Sequence, residues 1–392
     1  MSKFISVSKN IFLDEQLFRR LSNVSGEKKI FKIFNAIRKP TSRYYVRVNL
    51  TKITRDELIE RFEKYGLKPK EDENLEEALY FKVKGPNKLP RLKKFVMVDK
   101  RTSESVMNGA DVYAPGIISP NKMLRGEEVN IISPWRDIIA VGKVKMNWYE
   151  LKKRKHGLAI ETERSLYQAP KIRETKEFYD GLFYVQSLPA MLTSKILNPK
   201  ENETIVDMCA APGGKVTHIA ELTNNKAKIF AFDHSKRRVQ ELKKEIERLG
   251  HKSIKVFEHD ARYIDVDFRW IGADKVLLDP PCSALGVRPK IHEKKTMKEV
   301  YSFANYQKQF IKVAYRILKR NGILVYSTCT LTPEENEMNI EFAKQLGFKI
   351  EEQIFYIGDR GLKIIDGYDK LQRFYPNKGP YPGYFIARLI KK

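Results

Sequence analysis

The three cysteines of the chain each follow an apolar segment that is typical of a buried strand. Cys209 stands in DMCAAPGGK, Cys282 in LLDPPC and Cys329 in VYSTCT. A thiol at a strand end that faces a ligand crevice is a candidate nucleophile. The alternative is a small buried packing residue, which we expect for Cys209. No CxxC pair or Cys/His cluster occurs, so the sequence predicts neither a disulfide framework nor a metal site.

The segment Ala211–Gly214, APGG, follows the first strand of a predicted sheet. Glycine has no Cβ, so backbone N–H groups there can approach a ligand closely, and the positive helix end favours an anion. Asp233 ends the second strand, 19 residues beyond Gly214, where an acid suits the hydroxyls of a ribose. Asp260 ends the third strand and is placed to accept from an adenine amino group. These features predict an adenosine-containing cofactor. NAD fits less well because the spacing is not GxGxxG, and the P-loop motif GxxxxGK[ST] does not occur.

Two of the thiols and one acid fit the chemistry of cytosine C5. A thiolate that adds to C6 turns the ring into an enamine, whose C5 can accept a methyl group from a sulfonium donor. This chemistry needs a nucleophilic thiol, an acid near N3 and the 4-amino group, and a second group for proton removal. Cys329, Asp279 and Cys282 fit these roles, and Lys215 is placed either to lower a thiol pKa or to contact the base. Exocyclic-amine methylation fits less well, because its motif has an aromatic residue where Cys282 stands.

Short apolar strands alternate with helices from about Glu203 onward. SKRRVQELKKEIERLG has apolar residues at helical spacing and is predicted to end at Gly250. The alternation predicts a doubly wound α/β fold with a mostly parallel sheet. Near the C-terminus, FKIEEQIFYI and GYFIARLI are expected to add antiparallel strands.

The N-terminal half is predicted to have a different organisation. Residues 1–40 look mostly helical and basic, and YYVRVNLTKITRDELIERFEKYG predicts a strand and then a helix. Residues 92–168 are predicted to form short strands broken by Gly, Pro and Asn, in a small β-rich module.

The charge predicts a polyanionic partner. The chain has 74 Lys and Arg against 49 Asp and Glu, a net charge of +25, which favours RNA or DNA over acidic protein or an anionic membrane. Candidate contacts are the N-terminal 40 residues and Lys152–Lys155, whose alternative is a solvated surface. No apolar run approaches the ~20 residues of a membrane span, and no signal-peptide segment occurs. We therefore expect a cytoplasmic protein without membrane association.

The three cysteine motifs resemble those of the RsmB-like (Nop/Sun) family of S-adenosylmethionine-dependent RNA cytosine-5 methyltransferases. The resemblance covers about residues 40–90 and 165–392, and includes RVNLTK, similar to an RRM-like part, and FYVQSLPAMLTSKIL. It implies a Rossmann-like class I methyltransferase fold and S-adenosyl-L-methionine as the cofactor. In that family the residue matching Cys329 forms the covalent bond, and the residue matching Cys282 acts in proton removal or release. The positions implied for cofactor or base binding are Cys209, Ala210, Ala211, Pro212, Gly213, Gly214, Lys215, Asp233, Arg238, Asp260 and Asp279.

The inserted module resembles a PUA domain in VMVDKRTSESVMNGADVYAPGI and AVGKVKMNWYEL. The combination resembles a subgroup that methylates cytosine 72 in the tRNA acceptor stem and contacts the CCA end. The predicted domains are a basic, RRM-like region at 1–90, a PUA domain at 91–168 and a methyltransferase domain at 169–392, with 169–200 completing the RRM-like part. We expect a monomer that binds tRNA. The alternatives are an rRNA target, another tRNA position, and a non-catalytic RNA-binding or assembly factor.

Overall fold

The structure is a computed structural model that describes residues 3–153 and 156–392. Arg154 and Lys155, from the basic run predicted to contact RNA, lie outside the described residues, as do Met1 and Ser2 of the basic N-terminus. Within the described ranges, none of the helices is both long and apolar enough to pass through a bilayer.

The N-terminal segment forms a hairpin followed by two packed helices. Its elements are β1 (Phe4–Ser8), β2 (Ile11–Asp14), α1 (Glu15–Ser25) and α2 (Glu27–Ile37). The prediction of mostly helix was correct for α1 and α2 but missed the hairpin. Asn10 makes its tight turn possible with a φ of 60°, a conformation that Asn tolerates.

A strand and a helix follow, as predicted. The elements are β3 (Arg43–Val48), α3 (Arg55–Glu63), β4 (Lys70–Glu71) and β5 (Ala78–Lys82). Thr54 and Glu57 form a reciprocal capping box that fixes the start of α3. Strand β5 pairs antiparallel with both β3 and β4.

The β module is the next unit, and its sheet order is β7-β11-β10-β9-β6-β8. Its elements are β6 (Phe95–Val98), α4 (Lys100–Val106), β7 (Val112–Tyr113), β8 (Ile117–Ser119), β9 (Glu128–Ile132), β10 (Ile138–Val144), α5 (Trp148–Lys153) and β11 (Leu158–Ser165). The predicted β-rich module is confirmed, but its helices α4 and α5 were not predicted. Asp99 caps α4 by accepting from the Thr102 N–H at 2.7 Å, a local signal for a helix start.

After the β module the chain returns to the earlier sheet. The elements are α6 (Lys176–Tyr179), β12 (Phe183–Val185) and α7 (Leu188–Leu197). Strand β12 pairs antiparallel with β3, which extends that sheet to the order β12-β3-β5-β4. The β module is therefore inserted between two strands of one sheet.

The largest sheet has the order β15-β14-β13-β16-β18-β22-β21-β20, with β19 paired to β22. Its strands and the helices between them are β13 (Thr204–Asp207), α8 (Gly214–Leu222), β14 (Lys228–Asp233), α9 (Lys236–Leu249), β15 (Ile254–Glu258), α10 (Ile264–Asp267), β16 (Ala273–Leu278), α11 (Met297–Ile317), β18 (Leu318–Thr328), α12 (Glu337–Gln345), β19 (Phe348–Ile350), β20 (Asp359–Arg360), β21 (Gln372–Phe374) and β22 (Tyr384–Lys391). Between β16 and α11 the chain also forms β17 (Glu293–Lys295), which belongs to the sheet of β1 and β2. Strands β13 to β16 and β18 are parallel, and β22 runs antiparallel to β18. The predicted alternation and the predicted antiparallel end are confirmed.

Helices cover both faces of the largest sheet. Neighbouring side chains on a strand point to opposite faces, so they pack in different cores. Ile205 packs in a core with residues of α7, α8 and α9, whereas Val206 packs in a second core with residues of α10, α11 and α12. The strand order reverses between β13 and β16. Ligands of such sheets bind beyond the strand ends at this reversal, which locates the site.

The N-terminal segment contacts both cysteine-bearing loops. Strand β17, which follows the Cys282 loop, pairs parallel with β2. Arg20 of α1 forms an ion pair at 2.5 Å with Glu334, which follows the Cys329 loop. Residues of β2 and α1 therefore help to support the candidate site.

Candidate active site

The two candidate catalytic sulfurs lie next to each other. The Sγ atoms of Cys282 and Cys329 are 3.3 Å apart, and both residues are half-buried. They line one cavity of about 220 Å³ together with Asp233, Asp260 and Asp279. The structure thus joins the predicted nucleophile to the predicted cofactor acids in one space.

The two sulfurs are in hydrogen-bond contact, and either of them can be the donor. This contact, together with burial, raises the pKa of the Cys282 thiol. A Cys282 thiol is therefore placed to donate to Cys329, which is compatible with the role of nucleophile predicted for Cys329.

A buried carboxylate ties the two cysteine loops together, and sequence analysis assigned it no role. The Ser283 N–H and hydroxyl donate to Glu335 at 2.8 and 2.5 Å, and the Ser283 and Thr330 hydroxyl oxygens are 2.6 Å apart. Ser283 follows Cys282 and Thr330 follows Cys329 in the chain. The separation of the sulfurs is therefore set by the residues that follow them.

Two further donors complete the shell around Glu335. The Thr332 hydroxyl donates at 2.8 Å, and the Gln307 amide donates at 3.0 Å from α11. Burial raises the pKa of the carboxyl group. The T-x-x-E spacing of Thr332 and Glu335, a capping-box pattern, was the available signal for this contact.

The glycine loop leaves no room for side chains. Gly213 has a φ of 118°, which disfavours other residues, and a Cβ there would lie 2.9 Å from Leu242. A Cβ on Gly214 would lie 2.9 Å from the ring of Tyr184. The Arg238 guanidinium donates to the Ala211 carbonyl. The loop is thus a close-fitting cradle that backbone atoms line.

The two predicted cofactor acids differ in their surroundings. Asp233 is buried at the end of β14 and pairs with Arg238 at 3.3 Å. Asp260 lies two residues beyond the end of β15, a correction to its predicted position as the last strand residue. A hydrogen bond from Arg262 lowers the pKa of Asp260, and the two side chains are 2.5 Å apart. The two acids and the glycine cradle fit an adenosine-containing group, with Asp233 placed for its ribose.

Lys215 lies against Asp279 and not against a thiol in the described contacts. Its Nζ is 2.5 Å from Asp279 Oδ2, and the Ser327 hydroxyl donates to Asp279 Oδ1 at 2.9 Å. Although burial opposes it, the Asp279 carboxylate raises the pKa of Lys215. The described contacts of Lys215 therefore place it beside Asp279, the acid predicted to face the base, and include no sulfur whose pKa it would lower.

The remaining predicted loop residues line a second cavity of about 170 Å³, which includes Lys215 and Gly214. Cys209 and Asp279 line both cavities, so the two spaces adjoin. Cys209 also packs against the core, as expected of a buried packing residue. The other loop residues that line the second cavity are Ala210, Ala211 and Pro212.

Comparison with known proteins identifies the two main parts of the chain. Residues 194–390 match the family described as 16S rRNA methyltransferase RsmB/F, and residues 94–166 match the PUA domain. The chain is 44% identical over 386 residues to a tRNA (cytosine(72)-C(5))-methyltransferase of Pyrococcus horikoshii, with 96% of each chain covered. It is 30% identical over 452 residues to the human tRNA (cytosine(72)-C(5))-methyltransferase NSUN6, with 97% of this chain and 95% of the human protein covered.

Comparison with solved structures agrees with the comparison of sequences. The crystal structure of NSun6 from Pyrococcus horikoshii with SFG, an analogue of S-adenosylmethionine, matches with a TM-score of 0.89 at 43% identity, covering 97% of this chain and 98% of that one. The predicted class I methyltransferase fold with a PUA domain is confirmed. The chain therefore belongs to the RsmB/F methyltransferase family.

Proposed function

We propose that the protein transfers a methyl group from S-adenosyl-L-methionine to C5 of cytosine 72 in the tRNA acceptor stem. The observation that carries this proposal is the pair of sulfurs 3.3 Å apart in the cavity that Asp233, Asp260 and Asp279 also line. The relatives named as tRNA cytosine-72 methyltransferases support the position, since the similarity extends over 96% of the chain.

The side chains have separate roles in this reaction. The Cys329 thiolate adds to C6, and the electron pair of the C5–C6 double bond moves into the ring toward N3. Lys215 donates to N3 and Asp279 accepts from the 4-amino group, because their charges match that edge of the base. S-adenosyl-L-methionine, when bound, supplies an electrophilic methyl group.

Cys282 acts after the carbon–sulfur bond has formed. Cys329 is then a thioether and no longer a thiolate acceptor for the Cys282 thiol, which passes its proton to solvent. The resulting thiolate takes the proton from C5. The electron pair of that C–H bond restores the double bond, and the C6–sulfur bond breaks to return the Cys329 thiolate.

We further infer a cytoplasmic monomer that uses the PUA domain at 91–168 to hold the CCA end, while the RRM-like and methyltransferase parts at 1–90 and 169–392 receive the stem. The net charge of +25 supports phosphate contacts. A base near the end of a stem leaves its stack at low cost, which suits a target close to the tail.

The test is incubation with radiolabelled S-adenosyl-L-methionine and separate tRNA and rRNA transcripts, followed by bisulfite mapping. We expect label in tRNA at cytosine 72 and none in a control transcript with uridine at that position. Cys329→Ala should abolish transfer, and Cys282→Ala should accumulate a denaturant-stable protein–RNA adduct. Label in rRNA alone would refute the tRNA assignment. No label in any RNA would support the non-catalytic binding factor.

A further inference from the structure

The second cavity contains a buried amide that the reaction above does not use. Gln186 directly follows β12 and is only 7% exposed. It lines the cavity with Lys215, Asp279 and Gly214. Its Nε2 has no hydrogen-bond partner in the part of the chain that the structure describes. A buried amide N–H without a partner lowers stability, so such a group points to a ligand.

The orientation of this amide is fixed by Arg47. The Arg47 guanidinium donates to the Gln186 oxygen. A guanidinium has only donors, so the amide oxygen must face Arg47 and the N–H groups must face away. Nε2 lies 3.5 Å from the position that a Cβ on Gly214 would occupy, at the wall of the cavity.

Arg47 itself cannot turn aside. It donates to both oxygens of Glu221 at 2.7 and 2.8 Å and to the Thr217 hydroxyl at 2.9 Å, and it also donates to the Gly214 carbonyl. It is fully buried. Arg47 of β3 and its partners in α8 therefore hold one amide donor of Gln186 at the cavity.

Three of the polar side chains that line the cavity match one nucleobase edge. Asp279 offers an acceptor, and Lys215 and Gln186 offer donors. The Watson–Crick edge of cytosine offers a donor at the 4-amino group and acceptors at N3 and O2. Uracil offers an acceptor where cytosine has the amino group, and a donor at N3, so it opposes both Asp279 and Lys215.

The geometry of the ring brings this edge to the second cavity. N3 lies opposite C6 in a pyrimidine, so a base bonded at C6 to Cys329 turns its Watson–Crick edge away from the sulfur. Asp279 lines both the cavity that contains Cys329 and the cavity that contains Gln186. We propose that Gln186 is a base-recognition residue whose amide N–H donates to O2 of the target cytosine. This inference rests on the proposed cytosine methylation.

The test compares tRNA transcripts that carry cytidine or 2-thiocytidine at position 72, because sulfur is a weak acceptor. Gln186→Glu keeps an oxygen for Arg47 and replaces the donor with an acceptor. For the wild type we expect kcat/KM to fall about tenfold with 2-thiocytidine, as for one lost hydrogen bond. For Gln186→Glu we expect a tenfold or larger loss with cytidine and no further loss with 2-thiocytidine. The KM for S-adenosyl-L-methionine should not change.

Two more variants separate recognition from structure. Gln186→Met has a similar volume and no donor, and it replaces Gln186→Glu in the test if that variant does not fold. Its kcat/KM should be the same with cytidine and with 2-thiocytidine. Thr217→Val removes a different Arg47 contact and should keep the wild-type preference for cytidine.

Two results would overturn the inference. One is a Gln186 variant whose kcat/KM falls by the same factor as that of the wild type when 2-thiocytidine replaces cytidine. The other is a Gln186 variant that keeps the wild-type preference for cytidine over 2-thiocytidine but has a raised KM for S-adenosyl-L-methionine. That result would mean that the amide binds the carboxylate of the cofactor. A wild type that does not methylate the cytidine transcript would instead refute the proposed function.

Discussion

Removal of the Glu335 carboxylate should loosen the catalytic loops and destabilise the protein. In Glu335→Ala, the Ser283 N–H and the Gln307 amide lose their common acceptor inside the protein. The Ser283 hydroxyl keeps Thr330 at 2.6 Å and can reorient. The Thr332 hydroxyl also loses Glu335 but can rotate, and Gln307 keeps its bond to the Pro281 carbonyl at 2.9 Å. The Ser283 N–H and the second N–H of Gln307 stay buried without an acceptor, at about 1–3 kcal/mol each, so we expect a loss of about 4 kcal/mol in unfolding free energy.

Glu335→Gln should be much milder. The amide oxygen can take the place of the carboxylate oxygen that accepts from Ser283 N–H and Gln307. The amide N–H groups then face the Ser283 and Thr332 hydroxyls, which can rotate to accept. Burial raises the pKa of Glu335, so a neutral side chain also removes a charge that burial disfavours.

Thermal unfolding and methyl transfer check both expectations. A loss of about 4 kcal/mol corresponds to roughly 8–16 °C for a domain of this size, and Glu335→Gln should shift the midpoint by less than about 4 °C. Displacement of the sulfurs in Glu335→Ala should slow transfer by about 100-fold. Glu341→Ala, which removes a surface ion pair with Lys344, is the control and should change neither property. A Glu335→Ala midpoint within 2 °C of the wild type, or equal damage in both Glu335 variants, would refute the reasoning.

Three other substitutions test separate features. Burial raises the pKa of Asp207 to about 7, whereas the same carboxyl in the unfolded chain releases its proton near pH 4. Between these two values the folded protein holds a proton that the unfolded chain has lost. The free energy of unfolding therefore falls as pH rises from about 4 to about 7. Asp207→Asn should therefore raise the thermal midpoint more at pH 8 than at pH 5, and equal shifts would contradict the assignment. Arg373→Met leaves the buried Glu337 carboxylate unpaired and should lower the unfolding free energy by about 3–5 kcal/mol in urea titrations, whereas an unchanged value would argue against the pair. Gly286→Ala places a Cβ 2.3 Å from the Gly383 carbonyl oxygen and should lower the midpoint by several degrees, with a normal midpoint as the contrary outcome.

The site residues at the ends of strands could be predicted from the sequence. Asp233, Asp279 and Cys329 were predicted from apolar runs that stop at a polar residue, and each lies at or directly after the end of its strand. In a parallel sheet the carboxyl ends of all strands meet at one edge. Local pattern was therefore enough to predict which of these side chains come together.

The other contacts join residues far apart in the chain, and periodicity does not report such contacts. The Lys215–Asp279 pair and the Ser283–Glu335 bonds are set by how two loops meet in space. Gln186 stood in a segment noted only for its family resemblance, and its role depends on an arginine from another strand. Helix α4 was missed for a different reason, because its seven residues are too short for a helical period to stand out among strands.

The pairing of β2 with β17 has a consequence during synthesis on the ribosome. Glu293 reaches Ile11 only after about 280 further residues have been translated, which takes roughly 15–60 s at ~5–20 residues per second. For that time the edge of β2 that faces away from β1, with Ile11 and Leu13, has no strand beside it, and unpaired edges promote association between chains. We therefore expect the nascent chain to bind a chaperone at this edge, and we expect the chaperone to be released when β17 has been translated.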